Sequence, residues 1–102
     1  MVRSELVRVL SEKLAAELQA SDVELAVNCM LNQMSEALIE GERIEIRGFG
    51  SFDLHHRPAR KARNPKTGKA LSLGSKVALH FKPGKEMRDR VNTGRTQCHI
   101  TE

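Results

Sequence analysis

Apolar residues recur every three or four positions along the first forty residues of the chain, and from about position 43 they recur every second position. The first spacing gives a helix one apolar face; the second is that of a strand with one side buried. Leu6, Val9, Leu10, Leu14 and Leu18 mark a first helix, with Ser4 as its expected cap and Glu5 in its first turn. Ser21-Asp22-Val23-Glu24 has the spacing of a capping box, in which the Ser and Glu side chains satisfy free amides reciprocally, and it predicts the start of a second helix. Val23, Val27, Met30, Leu31, Met34 and Leu38 then form one broad stripe, and Gly41 supplies a left-handed stop. A stripe of that breadth is core rather than a cofactor box, and part of that core is expected to be intermolecular.

In Arg43-Ile44-Glu45-Ile46-Arg47 the isoleucines point to one side and Arg43, Glu45 and Arg47 to the other. Gly48-Phe49-Gly50 reads as a tight connection, after which Ser51-Phe52-Asp53-Leu54 resumes the alternation. Strand-like sequence runs on through His55 to Arg63, turns at residues 64–68, and returns through Leu71-Ser72-Leu73 and Val77-Ala78-Leu79 to Phe81. This predicts a long two-stranded ribbon, an arm over about residues 55–80. Pro83-Gly84 ends it, and a short helix follows from Lys85 to Asn92 with Met87 and Val91 on its inner face. Residues 1–94 thus read as one α+β domain, and residues 95–102, which lack periodicity, as a flexible tail.

Charge changes the picture more than length does. The 102 residues carry a net charge of +4. From Leu54 to Lys85, however, there is no Asp or Glu, and the nine basic residues are Arg57, Arg60, Lys61, Arg63, Lys66, Lys69, Lys76, Lys82 and Lys85. That segment is +9, which leaves −5 on the remainder. A run of charge alone is usually a solvated face. Here a turn, Arg63-Asn64-Pro65-Lys66-Thr67-Gly68, sits between two strand-length segments, as a hairpin tip does. A positive arm of that form points to a polyanion, because contiguous basic side chains displace counterions from a nucleic-acid backbone. A two-stranded ribbon fits a groove, and the rigid ring of Pro65 can wedge between base pairs, although a proline at a turn also simply presets φ. Phe49, Phe52 and Phe81 all fall outside the tip and read as core anchors rather than base-stacking platforms. Between His55 and Ser72 the apolar residues are only alanines, prolines and Leu71, so the core is small and self-association is expected to supply missing burial.

Other chemistries find little to stand on. Cys29 and Cys98 offer neither a disulfide framework nor metal spacing, and reduced cytoplasm is the expectation. No signal peptide or 18-residue apolar run occurs, so neither export nor membrane insertion is expected. His55 and His56 face opposite sides of a strand, while His80, His99 and Cys98 follow no ligand spacing; they read as surface residues, with no metal or cofactor expected. There is no recognisable nucleophile triad or phosphate-cradling loop, and nothing in the sequence gathers Glu45 and Asp53 into a nuclease metal site. An enzyme is not expected.

Three motifs in order, Arg47-Gly48-Phe49-Gly50-Ser51-Phe52, Arg63-Asn64-Pro65-Lys66-Thr67-Gly68 and His80-Phe81-Lys82-Pro83-Gly84-Lys85-Glu86, resemble the bacterial HU and integration host factor family from residue 3 to about residue 92. Within it, residues 42–47 and 80–90 look most like the beta subunit of integration host factor. The resemblance implies an intertwined dimer with a helical base and two β-arms that embrace double-stranded DNA from the minor groove and bend it. It also implies arm contacts at Arg60, Arg63, Asn64, Pro65 and Lys66, with Pro65 intercalating, and a sequence-reading pair at Glu45 and Arg47. Arg43 is grouped with these as a DNA contact. The expected partner chain is an alpha-type subunit or a second copy, the expected location the nucleoid, and the expected roles lie in recombination, replication, transcription and translation. A nonspecific HU-type homodimer and, from another class, an RNA-binding protein are the alternatives. The chain has Ala62 where the family usually has glycine, and residues 93–102 extend past the usual end.

Overall fold

A computed structural model of the chain describes residues 1–99; the last three residues of the expected tail, 100–102, lie outside it. The architecture is α+β, in two units that divide at Ile39.

The first unit is a helical hairpin of α1 (Arg3–Lys13) and α2 (Ala20–Ile39). Glu5 lies in the first turn of α1 as expected, but Val2 is the N-cap and no side chain caps the helix, so Ser4 is inside the helix rather than in front of it. Leu14 caps the other end, which puts Leu14 and Leu18 in the connection and not on the helix face. Similarly α2 starts one residue ahead of the expected cap: the Gln19 carbonyl accepts from the Asp22 and Val23 amides, and Ser21 falls in the first turn. Of the long stripe on α2, Val23 and Val27 are buried, whereas Met30 is 57% and Leu31 41% exposed. The stripe is therefore fully buried at its N-terminal end only, with Met34 and Leu38 half-buried farther along. Gly41, at φ 87°, closes the region as expected.

The second unit begins with β1 (Ile44–Ile46), β2 (Gly50–Arg57) and β5 (Lys76–Pro83), an antiparallel sheet in the order β1-β2-β5. Between β2 and β5 the chain runs out and back as β3 (Arg60–Arg63) and β4 (Ala70–Leu73), a two-stranded ribbon. Paired residue numbers have one constant sum from Gly50↔Pro83 through Arg57↔Lys76 to Arg63↔Ala70, so no residue is inserted in either strand. The expected ribbon is nevertheless in two pieces. Pro58 and Ala59 interrupt it opposite Gly74 and Ser75, where proline has no N–H to donate and glycine holds a strand weakly.

The sheet is anchored at the β1–β2 turn. Gly48 takes φ 82°, and a Cβ on Gly50 would lie 2.6 Å from the Lys82 carbonyl oxygen and 2.8 Å from the Phe81 ring. Phe81 packs at 4.8 Å on Phe52 and 5.6 Å on Phe49, so the three aromatics expected as core anchors do cluster, but Phe49 and Phe81 remain exposed at 41% and 38% in the single chain. On the same apolar face Val77 and Leu79 stay largely exposed. Helix α3 (Lys85–Thr93) follows Gly84; Met87 is half-buried, but Val91 is exposed, contrary to the expected inner face. After α3, Gly94–Thr96 forms a 3-10 turn braced by the Arg95 guanidinium donating to the Asn92 carbonyl at 2.7 Å.

Candidate nucleic-acid interface

Alternation along paired strands separates the two faces of the sheet. Phe52, Leu54, Leu79 and Phe81 occupy one; Ser51, Asp53, His55 and Arg57 of β2 lie on the other beside Lys82, His80, Ala78 and Lys76 of β5, with Ser51 buried. Glu45 joins the second face through its pairing with Ser51. The sheet thus isolates basic side chains from the aromatic cluster by geometry alone.

At the β1 end, the structure brings Arg43, Glu45, Arg47, Lys82 and Lys85 around one open depression of about 400 Å³. Arg88, on the first turns of α3, lines it too. Sequence reading missed Arg88 because it lies outside the acid-free segment; its spacing of three from Lys85, which puts both on one side of a helix, was the available signal. The expected strand Arg43–Arg47 is shorter than its alternation suggested: β1 holds only Ile44–Ile46, and Arg47 sits in the turn that follows. Among the described residues Glu45 and Arg47 form no ion pair. Arg43 instead approaches Asp53, Nη1 to Oδ2 at 3.9 Å, with both side chains substantially exposed.

At the break in the ribbon, Arg57, Arg60 and Lys76 border a second open cleft of about 410 Å³ with His56 and Pro58. Beyond it Arg60 and Ala62 alternate with Lys61 and Arg63, so β3 presents cations on both of its faces. Ala62 pairs regularly with Leu71, and no non-glycine residue among those described takes positive φ, so the position requires no glycine.

The tip is held by Asn64. Its amide donates to the Lys69 carbonyl at 2.9 Å, its carbonyl accepts from the Gly68 amide at 2.7 Å, and its side-chain Oδ1 accepts from the Lys66 amide at 2.9 Å. Gly68 supplies φ 69°, the left-handed step that brings the chain back to Lys69. Pro65 and Lys66 are thrust outward by this frame, and Lys69 begins the return strand side; all three are exposed. Because Asn64 uses three groups to close the loop, Pro65 is presented by a rigid turn rather than by a loose one.

One further grouping escaped the sequence reading. Asp53 and His55 lie on the same face of β2, and His80 of β5 pairs directly with Asp53, which draws the three side chains together. Spacing along one strand cannot reveal a cross-strand neighbour.

The description "Bacterial DNA-binding protein" belongs to a family model that matches residues 1–92. The chain belongs to this family. It is 62% identical over 95 residues to integration host factor subunit beta of Alkalilimnicola ehrlichii, covering 93% of this chain and 94% of that protein. The corresponding subunit of Halorhodospira halophila is 58% identical over 100 residues, covering 98% of this chain and 97% of that protein. Among solved structures, the Anabaena HU-DNA cocrystal structure superposes with a TM-score of 0.77 at 32% identity, over 89% of this chain and 97% of that one.

Proposed function

We propose that this chain is the beta-type subunit of an integration host factor, an architectural protein that binds double-stranded DNA in the minor groove and bends it, without covalent catalysis. The observation that carries this reading is the arm: a ribbon in unbroken register, free of acidic residues from Leu54 to Lys85, that ends in an exposed Pro65 on a turn fixed by Asn64. Arg57, Arg60, Lys61, Arg63, Lys66, Lys69 and Lys76 meet phosphates along the groove and position the arm. Pro65 enters between base pairs; insertion of apolar wedges is the known habit of minor-groove architectural proteins, HU and integration host factor among them. The depression lined by Arg43, Arg47, Lys82, Lys85 and Arg88 takes a further stretch of backbone. The work belongs to the bacterial nucleoid, in recombination, replication and gene regulation.

The working form is a dimer. Leu25, Met30 and Ile39 of α2 and Val77 and Leu79 of the sheet are all more than half exposed in the single chain, an apolar area that a second chain would cover. An alpha-type subunit is the proposed partner, supported by the naming of the relatives as beta subunits.

Bend angle is the decisive measurement. With end-labelled duplex and energy transfer, Pro65→Ala should bend DNA less while retaining most of its affinity, since every basic side chain remains. Equal bending by variant and parent would remove Pro65 from the mechanism.

A further inference from the structure

The face of the sheet that carries Lys76 and Lys82 also carries a cluster that DNA contact does not explain. His55 Nε2 lies 3.3 Å and His80 Nδ1 3.7 Å from the same oxygen, Oδ1 of Asp53. The two imidazoles stack, centroids 4.8 Å apart and planes 23° from parallel. Both contacts exceed the about 3.0 Å of a good N–H···O hydrogen bond, so the three groups face one another without being bonded together. One donor atom from each of the three lies within 4.8 Å of the others. We propose that Asp53, His55 and His80 form a surface site for a zinc-type transition-metal cation, one per chain.

Two imidazole nitrogens and one carboxylate oxygen are the donor set that zinc and its neighbours in the series take. At zinc–ligand distances of 2.0–2.1 Å, tetrahedral donors stand about 3.3 Å apart. One separation already meets that value and a second is near it; the imidazoles close the remainder by rotating about their own side-chain bonds. The backbone need not move, because Asp53 and His80 are paired across β2 and β5 and His55 is two residues along the same ladder. About half of each imidazole is exposed, so an ion can enter from solvent and keep a water at its fourth position. Arg43 is a nearby cation, and its 3.9 Å approach is to Oδ2, the oxygen the histidines do not use. It is 57% exposed and can swing away. Loading the site would turn a local charge of −1 into +1 on the face that displays Lys76 and Lys82, and so favour a polyanion there; this consequence rests on the function proposed above.

The test begins without DNA, on the full chain in its dimer, titrated with Zn²⁺ by calorimetry in competition with a chelating dye. One ion per chain is expected. Asp53→Asn and His80→Ala should each lower affinity by about tenfold or more, a loss that even outer-shell partners of a metal can cause. His56→Ala, on the opposite face, and Cys98→Ser should leave it unchanged. Independently of any variant, Zn²⁺ should shift the imidazole resonances of His55 and His80 in the parent and leave those of His56 in place. Absence of binding, binding that survives both Asp53→Asn and His80→Ala, or binding lost with Cys98→Ser would overturn the site. In a second arm, Zn²⁺ should tighten DNA binding by the parent and not by His80→Ala; failure of that arm alone overturns the coupling, while the DNA-free titration judges the site.

Discussion

The helical hairpin and the arm are incomplete in opposite ways. Residues 1–39 carry three basic and six acidic side chains, and their most conspicuous unmet need is apolar: a stripe along α2 that is buried at Val23 and Val27 and open at Met30 and Leu31. The arm has almost nothing to bury and nine cations within a 32-residue acid-free segment. Its order comes from unbroken register, from a proline and a glycine at the tip, and from three hydrogen-bonding groups of Asn64. One region needs a second protein chain to finish its core; the other needs a polyanion to finish its electrostatics. Folding and recognition are thereby assigned to different residues, and substitutions should separate them.

The largest separation should come from one acidic substitution placed in each region. Val27→Asp puts a carboxylate at a residue only 3% exposed, at a cost of several kcal/mol, comparable with the whole stability of a small domain. The far-UV circular dichroism of that variant should be lost at 25 °C. Leu71→Asp, on the arm and 43% exposed, should change stability by no more than about 0.5 kcal/mol. Similar melting of the two variants would erase the contrast. In the parent, Tm should rise with protein concentration, because the missing burial is intermolecular.

A second substitution asks where the rigidity of the sheet comes from. Gly50→Ala drives a Cβ against the Lys82 carbonyl and the Phe81 ring, and should cost about 1–3 kcal/mol in a denaturant melt. Gly74→Ala, at the break in the ribbon, meets no atom within 4 Å and should cost far less. If the two are equally destabilising, the close approach at Gly50 is not what makes the sheet rigid.

How far this contrast was legible in sequence depends on what kind of neighbour each residue has. The two periods of apolar residues gave the elements, and Asn64-Pro65-Lys66-Thr67-Gly68 announced the tip, because turn chemistry is local. Ser4 misled for the same local reason: it is a good cap, but Val2 took the position and Ser4 joined the helix. The break at Pro58 had a visible signal in the proline itself. What could not be read was anything that depends on cross-strand register. Asp53 meets His80 and Arg43 only because β2 pairs with β5 on one side and lies beside the β1 edge on the other. Glu45 and Arg47 do not share one strand face for the converse reason, since the strand ends at Ile46 and alternation stops with it.

The arm's charges should matter to binding and not to folding. Arg60→Ala, Lys66→Ala and Lys69→Ala should each reduce the slope of log affinity against log salt by ~0.9 if each side chain neutralises one phosphate, with Tm unchanged. Three parent-like slopes would show that the arm is not the electrostatic contact surface.

The smallest effect concerns the depression at the β1 end, where Glu45 is the one carboxylate among the lining side chains and five cations surround it. Strand alternation suggests that Glu45 orients Arg47, but in the free chain the two form no ion pair among the described residues and Arg47 stands on a turn, so there the carboxylate acts through its charge on the group as a whole. Between partly exposed charges such an effect is about 1 kcal/mol or less. Glu45→Ala should therefore raise affinity for random duplex, by at most about fivefold, since removing a negative charge strengthens attraction for phosphate. Sequence preference is a separate readout. In the minor groove A·T and T·A present nearly the same atoms, so discrimination depends on groove width and on where a cation is held. If Glu45 restrains Arg47 in the bound state, selection from a random duplex pool should return a looser consensus for Glu45→Ala and for Arg47→Ala alike. An unchanged consensus in both would move sequence reading away from this depression and leave it, like the arm, a holder of backbone.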